Sequence, residues 1–140
     1  WRKSGDYIML VPQGVAICQL FKLGDWAKTM AKRITELSDR PVLISYKGDA
    51  RPLEQRLSRC HAVVTWTSNV AVEAACAGVP VFVSGASAAL PVGTPLPSMT
   101  AENLESPAMP ERQAWAEGLE WGQFTLAEIE SGFARKVLEA

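Results

Sequence analysis

Histidine is nearly missing from this chain: His61 stands alone among 140 residues. It precedes an apolar strand whose far end carries Ser68, so a Ser-His-Asp hydrolase triad is disfavoured. His61 itself reads as a structural or surface residue. Cysteine is also sparse. Cys18, Cys60 and Cys76 are odd in number and widely spaced, with no CxxC. That argues against a disulfide framework and a zinc site. The three read as reduced packing residues of a cytoplasmic protein, with Cys76 a buried thiol on a small apolar helix. No apolar run approaches the roughly 20 residues that span a bilayer. No signal peptide is recognisable, although a start at Trp1 rather than Met suggests a cut fragment, from which a targeting segment could have been lost. Neither sign of charge dominates, at 14 Lys and Arg against 15 Asp and Glu. No global field therefore favours nucleic acid or anionic lipid. There is no GxxxxGK[ST], which excludes a P-loop at the motif level. Internal repeats and low-complexity segments are missing too.

What the chain does have is an ordinary globular composition, 48% hydrophobic and 21% charged. Its length allows one domain with a real core, or half of a two-lobed protein. The most informative stretch is His61 to Gly85, HAVVTWTSNVAVEAACAGVPVFVSG. Ala62 to Thr67 is apolar and β-branched, as a buried strand requires. Thr67, Ser68 and Asn69 are all good helix N-cap residues. Val70 to Ala77 is small and apolar with one charge, Glu73. Gly78 suits the left-handed position that ends a helix, Pro80 forbids its continuation, and Val81 to Ser84 is the next strand.

The rest of the first 85 residues repeats that alternation. Tyr7 to Val11 is a strand closed by Pro12, and Pro12 to Gly24 a loop or short irregular helix. Asp25 can cap a helix from Trp26 to Leu37, whose Trp26, Met30, Ile34 and Leu37 share one face. Val42 to Ser45 is a strand and Leu53 to Cys60 a short helix with Leu53 and Leu57 inward. Alternating strands and helices without a hairpin signal predict an α/β fold, a doubly wound, Rossmann-like parallel sheet of about four or five strands. Residues 1–90 form this core. Residues 91–140 are a loop and C-terminal helices packed on the same domain: Ala86 to Pro110 is Pro-rich, with a short turn near Ala101 to Leu104. Glu111 to Trp121 and Leu126 to Leu138 read as helices, the last opened by a Thr125–Glu128 capping box.

Parallel order brings the residues after each strand to one edge, where open α/β sheets bind ligands. Thr67, Ser68 and Asn69 present a helix start, whose free N–H groups attract phosphate. Glu73, one turn up, can accept hydrogen bonds from a ribose diol, or is a solvent-facing residue on a buried helix. Lys47-Gly48, with Arg51 nearby, can neutralise a diphosphate, or is a solvated basic loop. Gln13-Gly14 is a weaker phosphate turn with a single glycine. Ser84 to Ser87 would let a ligand approach the backbone, or is a plain turn. Trp115, Leu119, Trp121 and Phe124 offer either an aromatic sugar platform or helix core contacts. No residue cluster requires a metal, and no redox cofactor is implied.

Thr65-Trp66-Thr67-Ser68-Asn69, Glu73 and Gly78-Val79-Pro80-Val81-Phe82-Val83 resemble the carboxyl-terminal lobe of GT-B-type glycosyltransferases. The likeness is to bacterial capsule-polysaccharide and Kdo-transferase-like proteins and related phage-encoded versions. It covers roughly residues 7 to 90 in arrangement and is sharp only in the central segment. The resemblance implies a lobe that binds a nucleotide sugar, with Ser68 and Asn69 near the phosphates and Glu73 on a ribose or sugar hydroxyl. It implies a missing amino-terminal lobe that carries the catalytic base, so the fragment alone binds weakly without turnover. Where the family carries Arg-Pro-Lys or Arg-Pro-His, this chain has Ser45-Tyr46-Lys47. That departure keeps a second reading open, a catalytically inactive binding or assembly module such as a phage structural or polysaccharide-binding protein. A nucleotide-sugar epimerase is a third and weaker one, for want of carboxylates and a histidine.

Overall fold

The computed structural model describes the backbone of residues 1–140 and every side chain but that of Trp121. The most apolar stretches form the middle of one sheet: β1 (Tyr7–Val11), β3 (Cys60–Thr65) and β4 (Val81–Val83). Their residues are buried on both faces, apart from the half-buried Tyr7. β2 (Val42–Ile44) and β5 (Thr94–Pro95) close the edges. The strand order is β2-β1-β3-β4-β5 and every neighbouring pair is parallel. Ile8 lies between Val42 and Ala62, which sets the central register. The chain thus runs outward from β1 to β2, crosses back to β3, and continues the other way. Such a reversal opens a crevice between the carboxyl ends of β1 and β3, the topological switch point of a doubly wound sheet.

Helices cover the sheet. After the short α1 (Val15–Leu20) comes α2 (Trp26–Leu37), whose Trp26, Met30 and Ile34 are buried against Ile8, Leu10, Ala62, Val64 and Phe82. Leu37 packs at the margin of the same cluster. Each fully buried side chain of this size contributes about 1.5–3 kcal/mol relative to exposure. Asp25 occupies the N-cap position, yet its side chain makes no capping bond. α3 spans Leu53–Leu57, stopping short of Cys60, because Cys60 is the first residue of β3 and pairs with Tyr7. α4 (Val70–Cys76) lies on β3 and β4 and buries Ala71, Ala74 and Ala75. Small side chains let this helix sit close to the sheet. The expectation of a buried Cys76 thiol is corrected: Cys76 is exposed, because the inward face of α4 is taken by those alanines. Cys60 is the buried thiol, and burial pushes its pKa up to about 12.

α4 ends as its sequence predicts. Gly78 has φ 84°, its N–H donates to Ala75 O (3.1 Å), and the Val79 N–H donates to Ala74 O (2.8 Å). These are the two bonds of a Schellman cap. The Pro-rich stretch holds more structure than a loop. After a 3₁₀ turn at Leu90–Val92, β5 extends the sheet; a second at Leu96–Ser98 leads to α5 (Ala101–Glu105). Pro95 is tolerated because an edge strand leaves one row of N–H positions unpaired.

By its contacts the chain divides into two compact units, Trp1–Pro110 and Glu111–Ala140. The second is helical: α6 (Gln113–Trp121), α7 (Leu126–Glu130) and α8 (Phe133–Glu139). The expected Leu126 to Leu138 helix is two helices, broken at Gly132, which takes φ 76°. The Thr125–Glu128 capping box forms, with Thr125 N–H donating to Glu128 Oε2 at 2.8 Å. That backbone hydrogen bond lowers the Glu128 pKa. Trp115, Leu119 and Phe124 are half-buried, while the Trp121 side chain lies outside the described residues.

Candidate functional site

A cleft of about 760 Å³ lies over the carboxyl ends of β1, β2 and β3. Gln13 and Gly14 reach it from the loop after β1, Lys47 from the loop after β2, and Thr67, Ser68, Asn69 and Glu73 from the turn after β3 and the first helical turn beyond it. The seven residues selected from the sequence therefore line one cavity. Parallel pairing accounts for this, since it places every strand's exit loop on the same edge.

A short relay of hydrogen bonds bridges the switch point. Gln13 Nε2 donates to Thr65 Oγ1 at 2.7 Å, and Thr65 Oγ1 donates to Val11 O at 2.9 Å. Thr67 Oγ1 in turn donates to Gln13 Oε1 at 3.2 Å. Both ends of the Gln13 amide are thus engaged by β3 and its exit turn, which fixes its orientation. At α4 the first-turn donors are partly satisfied within the chain. Val70 N–H donates to Ser68 Oγ (3.3 Å) and Ala71 N–H to Ser68 O (3.0 Å). Asn69 has helical backbone angles and makes no side-chain cap.

The charged groups behave differently. Lys47 and Glu73 are exposed, and among the described residues neither side chain has a hydrogen-bond or ion-pair partner. One cleft therefore holds a free ammonium and a free carboxylate on different walls. Arg51, expected beside Lys47, is instead closed onto Asp49, with Nη2 to Oδ2 at 2.9 Å and Nε to Oδ1 at 3.2 Å. The Arg51 side-chain hydrogen bond holds the Asp49 carboxyl at about 2.

Ser84 to Ser87 does not join the cleft. Ser84 and Ser87 are buried in a turn, where Ser84 Oγ donates to Trp66 O at 2.6 Å. His61 lies at the amino end of β3, 1% exposed. Its Nδ1 accepts from Gly5 N–H (3.2 Å) and its Nε2–H donates to Leu104 O (2.9 Å). A backbone N–H can only donate and a carbonyl can only accept, so these partners assign the tautomer. Trp66 leaves β3 on the face opposite Thr65 and Thr67. It packs edge-on against Trp26, and its buried Nε1 has no partner among the described residues.

Sequence reasoning missed Arg56, Ser45 and Tyr46 as cleft residues. Arg56 was the detectable one. It sits between the inward Leu53 and Leu57 on a helix that starts just past the rim, so it flanks the buried face instead of pointing fully outward.

Among the described residues no helix is long and apolar enough to cross a membrane. In comparisons with known proteins, the chain matches no family model, no curated protein and no solved structure at a significant level.

Proposed function

We propose that this chain is the donor-binding lobe of a glycosyltransferase-type enzyme, which holds a nucleotide sugar over the β1–β3 switch point. The observation that carries this reading is the convergence of Gln13, Lys47, Ser68, Asn69 and Glu73, from three separate strand exits, on one cleft with an unpaired cation and an unpaired carboxylate. In this reading Lys47 faces the phosphates and Glu73 accepts from a ribose or sugar hydroxyl. Ser68 and Asn69 supply the polar turn between them. The lobe's contribution to transfer is electrostatic, the stabilisation of negative charge on the departing phosphate. In this reading a second, amino-terminal lobe supplies the base, and the hydroxyl that receives the sugar belongs to the acceptor.

Titration with uridine or cytidine nucleotides, followed by NMR, tests the reading. Amide signals of residues 67–70 shift first, and those of Lys47 and Gln13 follow. Affinity for half a cleft is on the order of millimolar, about −4 kcal/mol, and falls with salt if phosphate contacts dominate. Shifts confined to residues 111–138, or none at saturating nucleotide, overturn it.

One observation favours a binding module without turnover. Among the described residues, Glu73 is the only carboxylate lining the cleft, and the single histidine is bonded at the far end of β3. Release of nucleotide from a nucleotide sugar by the full-length protein separates the two readings.

A further inference from the structure

We infer that Ser45, Lys47 and Arg56 form a diphosphate site on the β2–α3 wall of the cleft, with Arg56 as its principal ligand. The inference rests on the reading of the cleft as a nucleotide-sugar site, though it requires only the phosphates. Arg56 is half-buried and held from several sides. Its Nε–H donates to Arg51 O at 3.1 Å, and Nη1 donates to Ser45 Oγ. Ser45 is 2% exposed and anchored to the sheet, its own N–H donating to Leu10 O at 2.9 Å. The Tyr7 hydroxyl donates to Arg56 O, which fixes the backbone beneath the side chain. A guanidinium has five N–H donors; two are engaged, which leaves three in a fork whose orientation is already set.

No carboxylate of the described residues pairs with Arg56 or Lys47. The neighbouring Arg51, by contrast, is neutralised by Asp49 at 2.9 Å. The cleft thus keeps two uncompensated cations against the single carboxylate of Glu73. α4 is a weak rival for the anion, being seven residues long with its first donors engaged by Ser68. A planar, pre-positioned guanidinium suits two adjacent phosphoryl groups better than a lone helix turn, because it binds oxygens in pairs.

Calorimetry with inorganic pyrophosphate tests this without a nucleoside. The wild-type chain should bind it in a salt-sensitive way. Arg56→Gln should weaken binding about tenfold, or 1.4 kcal/mol. Arg56→Lys keeps charge and stem but lacks the fork, so it should recover only part of the loss. Arg51→Gln, which removes a cation already paired at the surface, should stay within about twofold. If Arg56→Gln melts early, Arg56→Lys carries the test. No pyrophosphate binding by wild type, unchanged affinity in both Arg56 variants, or an equal loss in Arg51→Gln overturns the site. If pyrophosphate binds through Arg56 but nucleoside diphosphates bind no tighter, the diphosphate site stands and the nucleotide-sugar reading falls. If nucleotides bind and Arg56 is indifferent, the reverse holds.

Discussion

The two ends of the sheet are built from similar residues and finished in opposite ways. At the amino end three arginines and the histidine are engaged by the chain itself. Arg2 donates to Leu57 O and Cys60 O, Arg40 to Gly5 O and Glu105, and Arg59 to Asp6. His61 uses both ring nitrogens. At the carboxyl end Lys47, Asn69 and Glu73 have no side-chain partner among the described residues, and Arg56 keeps most of its donors. Exposed ion pairs are individually weak, so the amino end is not stabilised mainly by them. Its groups are spent on carbonyls that burial would otherwise leave unpaired, which costs more. The difference is one of commitment: the arginines and the histidine named at the amino end are taken up by the fold, whereas Lys47, Asn69, Glu73 and part of Arg56 are not.

The comparison breaks most easily at Gly5. A methyl group there would meet the Cys60 carbonyl carbon and the His61 nitrogen at 2.5 Å. Backbone atoms cannot swing aside, so Gly5→Ala should lower unfolding free energy by about 3 kcal/mol, read from the urea midpoint. A near-neutral result would mean the amino end is looser than its bonds imply. His61→Leu comes next. It leaves the Gly5 N–H and the Leu104 carbonyl without their partners, for a loss of about 2 kcal/mol in stability. Nucleotide affinity per folded molecule should not change, and a parallel loss of binding would couple the two ends. Glu73→Gln should do the converse. It weakens nucleotide-sugar binding by about 1.5 kcal/mol while the melting temperature holds, whereas early melting would make Glu73 a structural carboxylate.

The smallest effect is in acid. The Arg40 side-chain hydrogen bond lowers the Glu105 pKa below its usual 4.5. A carboxylate depressed on folding adds stability that is present above 4.5 and is lost as pH falls through the folded value. Glu105→Gln should therefore flatten the acid limb of a melting-temperature profile by slightly lowering the neutral plateau, while the most acidic points stay where they are. An unaltered acid limb would show that this exposed pair is screened to nothing.

Much of the fold was legible because hydrophobic period and helix punctuation agree. β1, α2, β3 and α4 each have an unbroken apolar pattern, and Gly78-Val79-Pro80 marks its turn unambiguously. The rim followed from topology, since parallel strands leave no choice about where Gln13, Lys47 and Ser68 gather. What escaped was set by tertiary context. β5 is two residues with a proline, too short for any periodic signal, and it exists because β4 offers an edge. Cys76 looked buried because α4 is apolar apart from Glu73, yet its buried face consists of three alanines. Arg51 and Arg56 are chemically alike in sequence. Only the Asp49 pairing of one and the Ser45 contact of the other tell them apart.

The reversal in strand order also constrains how the chain acquires its shape. β1 has β2 on one side and β3 on the other, so its inner partner arrives only after α1, α2, β2 and α3 have been made. Loop closure of that length must precede the reward of burying Ile8 and Leu10. A nascent chain that stops before Cys60 holds one strand pair with an open apolar edge, a form prone to sticking to its own kind. Refolding of the intact chain should accordingly take milliseconds to seconds, as expected for non-local pairing. A microsecond phase carrying the full amplitude in a temperature-jump experiment would contradict this order of assembly. The cleft, whose walls come from both sides of the reversal, cannot form before β3 has paired with β1.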